Sequence, residues 1–179
     1  MTDDVSGFGD ALVWAGARVA GGDDRTSRSL AVRAGIEIPT GEPDNLLGSG
    51  STDVAVWFQG RDPASLAKVR VTAFASAGVV WAGENEALGG ETDDFILFGC
   101  VGMGWTYFRR VTPKAQLDLH SPLDSGSRIR MLRNPCQQLT FGGAVLLAEG
   151  LTLDIGVGED MRSTASPDVV FHFSLAKEL

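Results

Sequence analysis

Apolar and polar residues alternate along short runs from about residue 52 to the last residue of the chain. In one such run, Leu151, Leu153 and Ile155 fall on one side, while Thr152 and Asp154 fall on the other. A period of two is the pattern of a β-strand with one half-buried face. The sequence therefore predicts a protein built from strands.

Ten strands are predicted at intervals of about ten residues, a spacing typical of all-β domains. They cover residues 53–59, 67–76, 79–81, 95–100, 105–111, 115–120, 128–132, 138–148, 151–157 and 168–175. Strand number and length favour a two-sheet antiparallel β-sandwich with a jelly-roll-like arrangement over an immunoglobulin-like one.

Local signals predict three interruptions of the strand pattern. Asp62 followed by Pro63 has the order of a helix cap and first helical residue, which predicts a short helix over 62–67. The glycine pair Gly142 and Gly143 predicts a bulge or bend inside a long strand. The glycine-rich run 99–104 predicts a hairpin connection, because its spacing does not fit a dinucleotide-binding loop and a strand follows it.

The first fifty residues differ from the rest in being rich in glycine and aspartate. Their apolar stretches are Ala11–Val19 and Ser29–Ile38, and a turn-rich connection over 40–51 follows. We expect an N-terminal extension or arm over 1–50 with one or two short elements, and a β-sandwich domain over 51–179. The extension either adds two strands to its own molecule or reaches onto a neighbouring subunit.

Charge and hydropathy narrow the classes of partner. The formal net charge of −8 disfavours nucleic acid and anionic membrane surfaces. The chain has no stretch of eighteen apolar residues, and its first residues lack the pattern of a signal peptide. We expect a product made in the cytoplasm that has no membrane contact. Cys100 and Cys136 are expected to be packing residues, and whether they pair stays open.

Candidate catalytic side chains are few. His120 and His172 are the only histidines, and Asp118 shares a strand face with His120. A carboxylate could orient an imidazole for acid–base chemistry, but such pairs are common on ordinary surface strands. No HxH, HExxH or GxSxG motif occurs. We expect no catalytic residue, no cofactor-binding residue, no metal ligand and hence no enzyme.

Three clusters have alternative interpretations. Acidic residues in a glycine-rich segment could bind calcium, although a solvated turn is favoured. Arginines could form a basic stripe for nucleic acid, although cross-strand ion pairs are favoured. Tryptophans could stack on sugars, although core or interface packing is favoured. The acidic residues are Glu84, Glu86, Glu91, Asp93 and Asp94. The arginines are Arg109, Arg110, Arg128, Arg130 and Arg133, and the tryptophans are Trp57, Trp81 and Trp105.

No motif identifies a family. A β domain with a polar extension and no catalytic set favours a structural and assembly protein that acts through subunit contacts. The expected class is a virion component of a bacterial virus, such as a capsid, capsid-decoration or tail subunit that self-associates and contacts other structural subunits. The alternative is a β-sandwich module that binds carbohydrate or another ligand.

Overall fold

The chain forms one antiparallel sheet of nine strands, as seen in a computed structural model that describes residues 6–22, 27–45, 47–66, 69–84, 93–106, 110–161 and 169–177. The strands are β1 (Ala11–Gly21), β2 (Ser29–Ile38), β3 (Asp53–Leu66), β4 (Val69–Trp81), β5 (Phe95–Thr106), β6 (Val111–His120), β7 (Cys136–Ala148), β8 (Leu151–Asp160) and β9 (Val169–Lys177).

Each strand pairs with the next one along the chain, so the spatial order is the sequence order. Consecutive antiparallel strands need only short connections, and this makes the up-and-down arrangement the simplest way to join them. In the β7–β8 turn, Gly150 adopts a φ of 71°, a left-handed backbone conformation that favours glycine. Pairing shifts at two irregularities, between Arg18 and Ala20 and between Leu146 and Ala148.

The all-β class is confirmed, but the predicted two-sheet, jelly-roll-like sandwich is not what the structure shows. A sandwich needs strands that leave one sheet and join another. Here the nine strands stay in a single sheet. Alternation predicted most of the strands because it reports which residues share a face, and it carries no information on what covers that face.

Three local predictions were wrong. Residues 62–66 continue β3, because Asp62 and Pro63 pair with Ala73 and Thr72 of β4. Residues 99–104 lie inside β5 and pair with β4 throughout. The predicted strand 128–132 is irregular chain that leads into a four-residue helix, α1 (Arg130–Arg133).

Two further expectations concern bends and the N-terminal segment. Register is continuous through Gly142 and Gly143, so the bulge or bend predicted there was wrong; the irregularity of β7 lies between Leu146 and Ala148. The segment 1–50 supplies β1 and β2, and β2 pairs with β3. Of the two arrangements considered for this segment, the structure shows the one that adds two strands to the sheet.

Helical structure is confined to α1 and a 3₁₀ turn at Pro43–Asn45 within the described ranges. In that part of the chain, no helix has the length and apolar character required to cross a membrane.

The sheet has almost no interior of its own. Among the described residues, Cys136 is the one buried apolar side chain, with 6% of its surface exposed. The accessible surface is 12360 Å² for a chain of 18.9 kDa. A compact monomer of that mass exposes about 8,300 Å². The excess follows from a single layer whose two faces are both uncovered.

The two ends of the sheet differ in the length of their connections. At the end that we call the long-loop end, strands are joined by residues 39–52, 82–94, 121–135 and 161–168. At the opposite, short-turn end, the joining residues are 22–28, 67–68, 107–110 and 149–150. Every connection at the long-loop end is longer than every connection at the short-turn end.

Candidate functional site

One face of the sheet, which we call the apolar face, carries hydrophobic side chains across all nine strands. Paired residues of neighbouring strands point to the same side, so the register assigns each residue to a face. One such row is Val13, Ile36, Val54, Trp81 and Phe95. The described members are Val13, Ala15, Ala17, Leu30, Val32, Ala34, Ile36, Val54, Val56, Phe58, Val71, Ala73, Ala75, Ala77, Val79, Trp81, Phe95, Leu97, Val101, Met103, Trp105, Val111, Ala115, Leu117, Leu119, Leu139, Phe141, Val145, Leu151, Leu153, Ile155, Val157, Val169, Phe171, Phe173 and Leu175.

Many of these apolar side chains are exposed, and the others are half-buried. Phe173 is 70% exposed, Leu97 63% and Val101 54%. Within the described strands, ionisable side chains occur on this face at Asp62, Glu159 and Lys177. A soluble sheet packed on a core shows the opposite pattern, with apolar residues covered and polar residues exposed.

The opposite face, which we call the polar face, carries most of the charge. It also holds serine, threonine and glutamine side chains, and most of its residues are half-buried. Its described ionisable residues are Arg18, Arg33, Glu37, Asp53, Arg61, Arg70, Lys114, Asp118, His120, Asp154, Asp160 and His172.

Glycines on the polar face show that this face is the inner side of the sheet's curvature. A Cβ at Gly78 would clash with Trp57 and lie 2.7 Å from Phe98 Cζ. The Trp57 and Phe98 ring centroids are 6.3 Å apart, so the two rings meet above the glycine. A Cβ at Gly60 on the apolar face would meet nothing closer than 3.8 Å. Side chains therefore crowd the polar-face position at Gly78 and leave the apolar-face position at Gly60 open.

A shallow apolar depression of about 830 Å³ crosses the middle of the sheet. The small side chains Ala73, Ala75 and Ala77 of β4 form its floor, and Phe58 and Met103 stand on either side. It is lined mainly by members of the apolar face, so it is a hollow in that face rather than a separate polar pocket.

A hydrogen-bonded carboxylate fixes the long-loop end near β1. Asp10 accepts hydrogen bonds from the backbone N–H groups of Ser49 (2.6 Å) and Gly41 (2.9 Å) and from the Ser49 hydroxyl (3.0 Å). These donors, the Ser49 amide first, lower the pKa of Asp10 below its ordinary value. The contacts hold the 39–52 connection against the residue that precedes β1.

Two further carboxylates lie beside Asp10. Asp53 accepts hydrogen bonds from the Ser51 hydroxyl (2.8 Å) and the Gly83 amide (3.0 Å). Glu37 pairs in register with Asp53, and burial, followed by the charges of Asp53 and Asp10, raises the pKa of Glu37. Over the described residues, no three His, Cys, Asp or Glu side chains are arranged to hold a metal ion.

The histidines and Asp118 do not come together as a catalytic pair. His120 Nδ1 lies 2.7 Å from the carbonyl oxygen of Ser121, whereas Asp118 accepts a 2.7 Å hydrogen bond from Gln116 Nε2. His172 lies on β9 opposite Gly156 of β8, and His120 lies on β6 opposite Cys136 of β7.

The tryptophans lie on different faces and do not form one stacking platform. Trp81 is on the apolar face, 57% exposed, with its ring centroid 5.1 Å from that of Phe95. Trp57 is on the polar face against Phe98. The spacing in the sequence did not predict that Trp57 and Trp81 lie on opposite faces, because both lie in apolar runs.

The remaining predicted clusters are dispersed or lie partly outside the described residues. Arg128, Arg130 and Arg133 are exposed in the 121–135 connection and α1 rather than on a strand, and Arg109 lies outside the described residues. In the acidic segment, Glu86 and Glu91 also lie outside them, and Asp93 accepts hydrogen bonds from the Ser125 amide and hydroxyl, both at 3.0 Å. The structure shows no disulfide between Cys100 and Cys136.

A family model described as "Protein of unknown function (DUF3187)" matches residues 19–179. The match covers most of the chain, so the chain belongs to the DUF3187 family. Neither a curated protein nor a solved structure matches it.

Proposed function

We propose that this member of the DUF3187 family is a membrane-embedded protein whose apolar face contacts lipid acyl chains and whose polar face lines a hydrated interior. One observation carries the proposal: exposed hydrophobic side chains occur on one face over the whole width of the sheet, while most of the described charged side chains of the strands lie on the other face. This arrangement of an apolar outside and a polar inside is the one that lipid requires of membrane strands.

The extent of the apolar surface supports lipid over water as its surroundings. Exposed apolar patches on soluble monomers rarely exceed about 600 Å². Here exposed members occur from Val13 on β1 to Leu175 on β9. A partner protein usually covers one patch, whereas acyl chains cover a whole face without needing a matching shape.

Strand length fits a bilayer. β6 and β8 have 10 residues each and β9 has 9. A rise of about 3.3 Å per residue makes a ten-residue strand about 33 Å long. Tilted by about 40°, it spans about 25 Å, the height of a membrane-facing apolar band.

Backbone pairing and aromatic placement agree with this setting. In lipid, backbone N–H and C=O groups must be paired within the protein, and β2 to β8 each pair on both sides. β1 and β9 pair on one side only, so the proposal requires cover for their outer edges. Trp81 and Phe95 lie in contact where β4 ends and β5 begins. Tryptophan is enriched at the level of lipid headgroups, where such strands end.

The difference between the two ends gives the sheet a direction. Membrane sheets of this kind have short turns on one side and longer loops on the other. The long-loop end and the short-turn end match that pattern.

Tryptophan fluorescence tests the proposal with a matched pair of variants. One variant keeps Trp81 alone and the other keeps Trp57 alone, the remaining tryptophans being replaced by Phe. Each variant is reconstituted into vesicles of phosphatidylcholine whose acyl chains are either unmodified or brominated on the carbons nearest the headgroup. Because bromine quenches only nearby indoles, we expect the Trp81 variant to lose most of its emission and the Trp57 variant little. Equal quenching of both variants, or none of Trp81, would refute lipid contact.

The virion component and the ligand-binding module stay predictions. An assembly subunit would also need cover for the apolar face, supplied by neighbouring copies instead of lipid. In that case the protein, purified without detergent, would form regular oligomers visible by electron microscopy, and brominated lipid would leave Trp81 unquenched.

A further inference from the structure

The polar face carries two exposed apolar side chains on β1 that the membrane proposal does not use. Leu12 is 64% exposed and Trp14 is 54% exposed, and they pair in register with Glu37 and Gly35 of β2. On a face in contact with water, neighbouring exposed apolar side chains mark a binding surface. Side chains stand roughly perpendicular to a sheet, so a strand that covers the outer edge of β1 lies beside the Trp14 ring rather than over it.

Arg33 of β2 lies next to Trp14 on this face. Its guanidinium carbon is 4.7 Å from the centroid of the Trp14 ring, a cation–π contact that orients both side chains. The stem of Arg33 passes Gly16, where a Cβ would lie 2.7 Å from Arg33 Cγ and 3.5 Å from Arg33 Cδ. The glycine at position 16 therefore leaves room for the arginine to reach the indole.

A second indole lies on the other side of Arg33. Trp57 of β3 pairs in register with Arg33, so their Cβ atoms are about 5 Å apart. A Cβ at Gly35 would lie 3.3 Å from Trp14 Cβ and 3.5 Å from Trp57 Cζ3, and Gly35 is buried. The two tryptophans thus approach one glycine from β1 and β3, with Arg33 beside both of them. We call Trp14, Arg33 and Trp57 the aromatic–arginine site.

The positive charge of Arg33 is available to a ligand, because no ion pair of the described residues involves this side chain. The carboxylate on the same face of β2 is Glu37, four residues further on, which is about 13 Å at a rise of about 3.3 Å per residue. A guanidinium stacked on an aromatic ring keeps N–H donors in its own plane, where they fit a carboxylate. The site therefore offers aromatic surface and a carboxylate-binding group side by side.

We propose that the aromatic–arginine site binds small aromatic carboxylates, with the ring against the indoles and the carboxylate on the Arg33 guanidinium. Small-molecule sites combine aromatic surface with a few placed polar groups in this way. The net charge of −8 restricts the site to small anions, because a polyanion is repelled by the whole molecule. The site lies opposite to the face that we place in lipid, so it goes beyond the membrane proposal and does not depend on it.

Contact quenching of tryptophan tests the site with two quenchers of similar shape, para-nitrobenzoate and its neutral analogue para-nitrobenzamide. A full-length variant that keeps Trp14 alone, the other tryptophans being replaced by Phe, is titrated with each quencher in an uncharged detergent. We expect saturable quenching, with the carboxylate bound about threefold more tightly, the preference that one exposed ion pair provides. Unsubstituted benzoate should displace para-nitrobenzoate, whereas galacturonate, a carboxylate without an aromatic ring, should not.

Arg33→Gln should remove the preference for the carboxylate, whereas Arg33→Lys, which keeps the charge, should retain it. Arg70→Gln is the control, because it removes the same charge from the polar face near the start of β4. Equal binding of the two quenchers, quenching that does not saturate, or the same loss in Arg33→Gln and Arg70→Gln would overturn the site, and equal displacement by galacturonate would overturn its aromatic preference. Lipid contact is measured separately through Trp81, so these outcomes leave the membrane proposal standing.

Discussion

A single arginine on the apolar face should distinguish lipid from water as the surroundings of that face. The midpoint of β5 falls between Cys100 and Val101. Val101 therefore lies within about 2 Å of the strand centre at a rise of about 3.3 Å per residue. Its side chain is 54% exposed. In lipid, Val101→Arg should cost about 2–4 kcal/mol, the cost of an arginine near the middle of a bilayer.

Depth provides the second part of this prediction. Phe95 begins β5 and is 53% exposed, almost as much as Val101. Phe95→Arg should cost only about 0–1 kcal/mol of lipid transfer, because it lies near the interface. The control on the polar face is Gln116→Arg, which keeps a donor for the Asp118 carboxylate and is expected to have a small effect. The order of cost should therefore be Val101, then Phe95, then Gln116.

The measurement is reversible unfolding by denaturant in the presence of lipid vesicles, followed by tryptophan fluorescence. A loss of about 3 kcal/mol lowers the folded-to-unfolded ratio by about two orders of magnitude. On a water-exposed surface, Val101→Arg would change stability by about 0.5 kcal/mol or less. If Val101→Arg and Gln116→Arg are equally stable, the apolar face does not contact lipid.

Alternation predicted the last three strands of the chain well, because each row of apolar residues there is regular. The predicted 151–157 strand is found as Leu151–Asp160, and 138–148 as Cys136–Ala148. The predicted ends of strands were less accurate where a helix or turn signal in the sequence competes with strand pairing. Asp62 and Pro63 illustrate this, because their pairing with β4 outweighs their value as a helix start.

The character of the two faces could not be predicted by the same reasoning. Alternation shows that apolar residues share a face, but a face buried in protein and a face in contact with lipid give the same period of two. The expectation of no membrane contact drew on the net charge, the lack of an eighteen-residue apolar stretch and the first residues of the chain, and the second of these is a criterion for helices. The sequence held one signal of the difference between the two faces: glycines such as Gly78, Gly102 and Gly156 occupy polar-face positions between apolar residues.

Three further predictions concern packing and pH, each checked by equilibrium unfolding. Gly78→Ala forces a Cβ against Trp57 and should cost about 1–3 kcal/mol, whereas Gly60→Ala, with open space, should cost little; equal costs would contradict the inner curvature. Because loop hydrogen bonds lower the pKa of Asp10, its stabilisation is present above the ordinary value of 3.8 and is lost as pH falls through the folded pKa, so Asp10→Asn should match the parent only in acid. Glu37 has the opposite sign: burial raises its pKa, so the neutral carboxyl is tolerated below the ordinary value of 4.5 and stability is lost as pH rises through the folded pKa. Glu37→Gln cannot ionise and should therefore gain stability over the parent toward neutral pH; a difference that does not change with pH would show that the Glu37 carboxylate is not penalised by its surroundings.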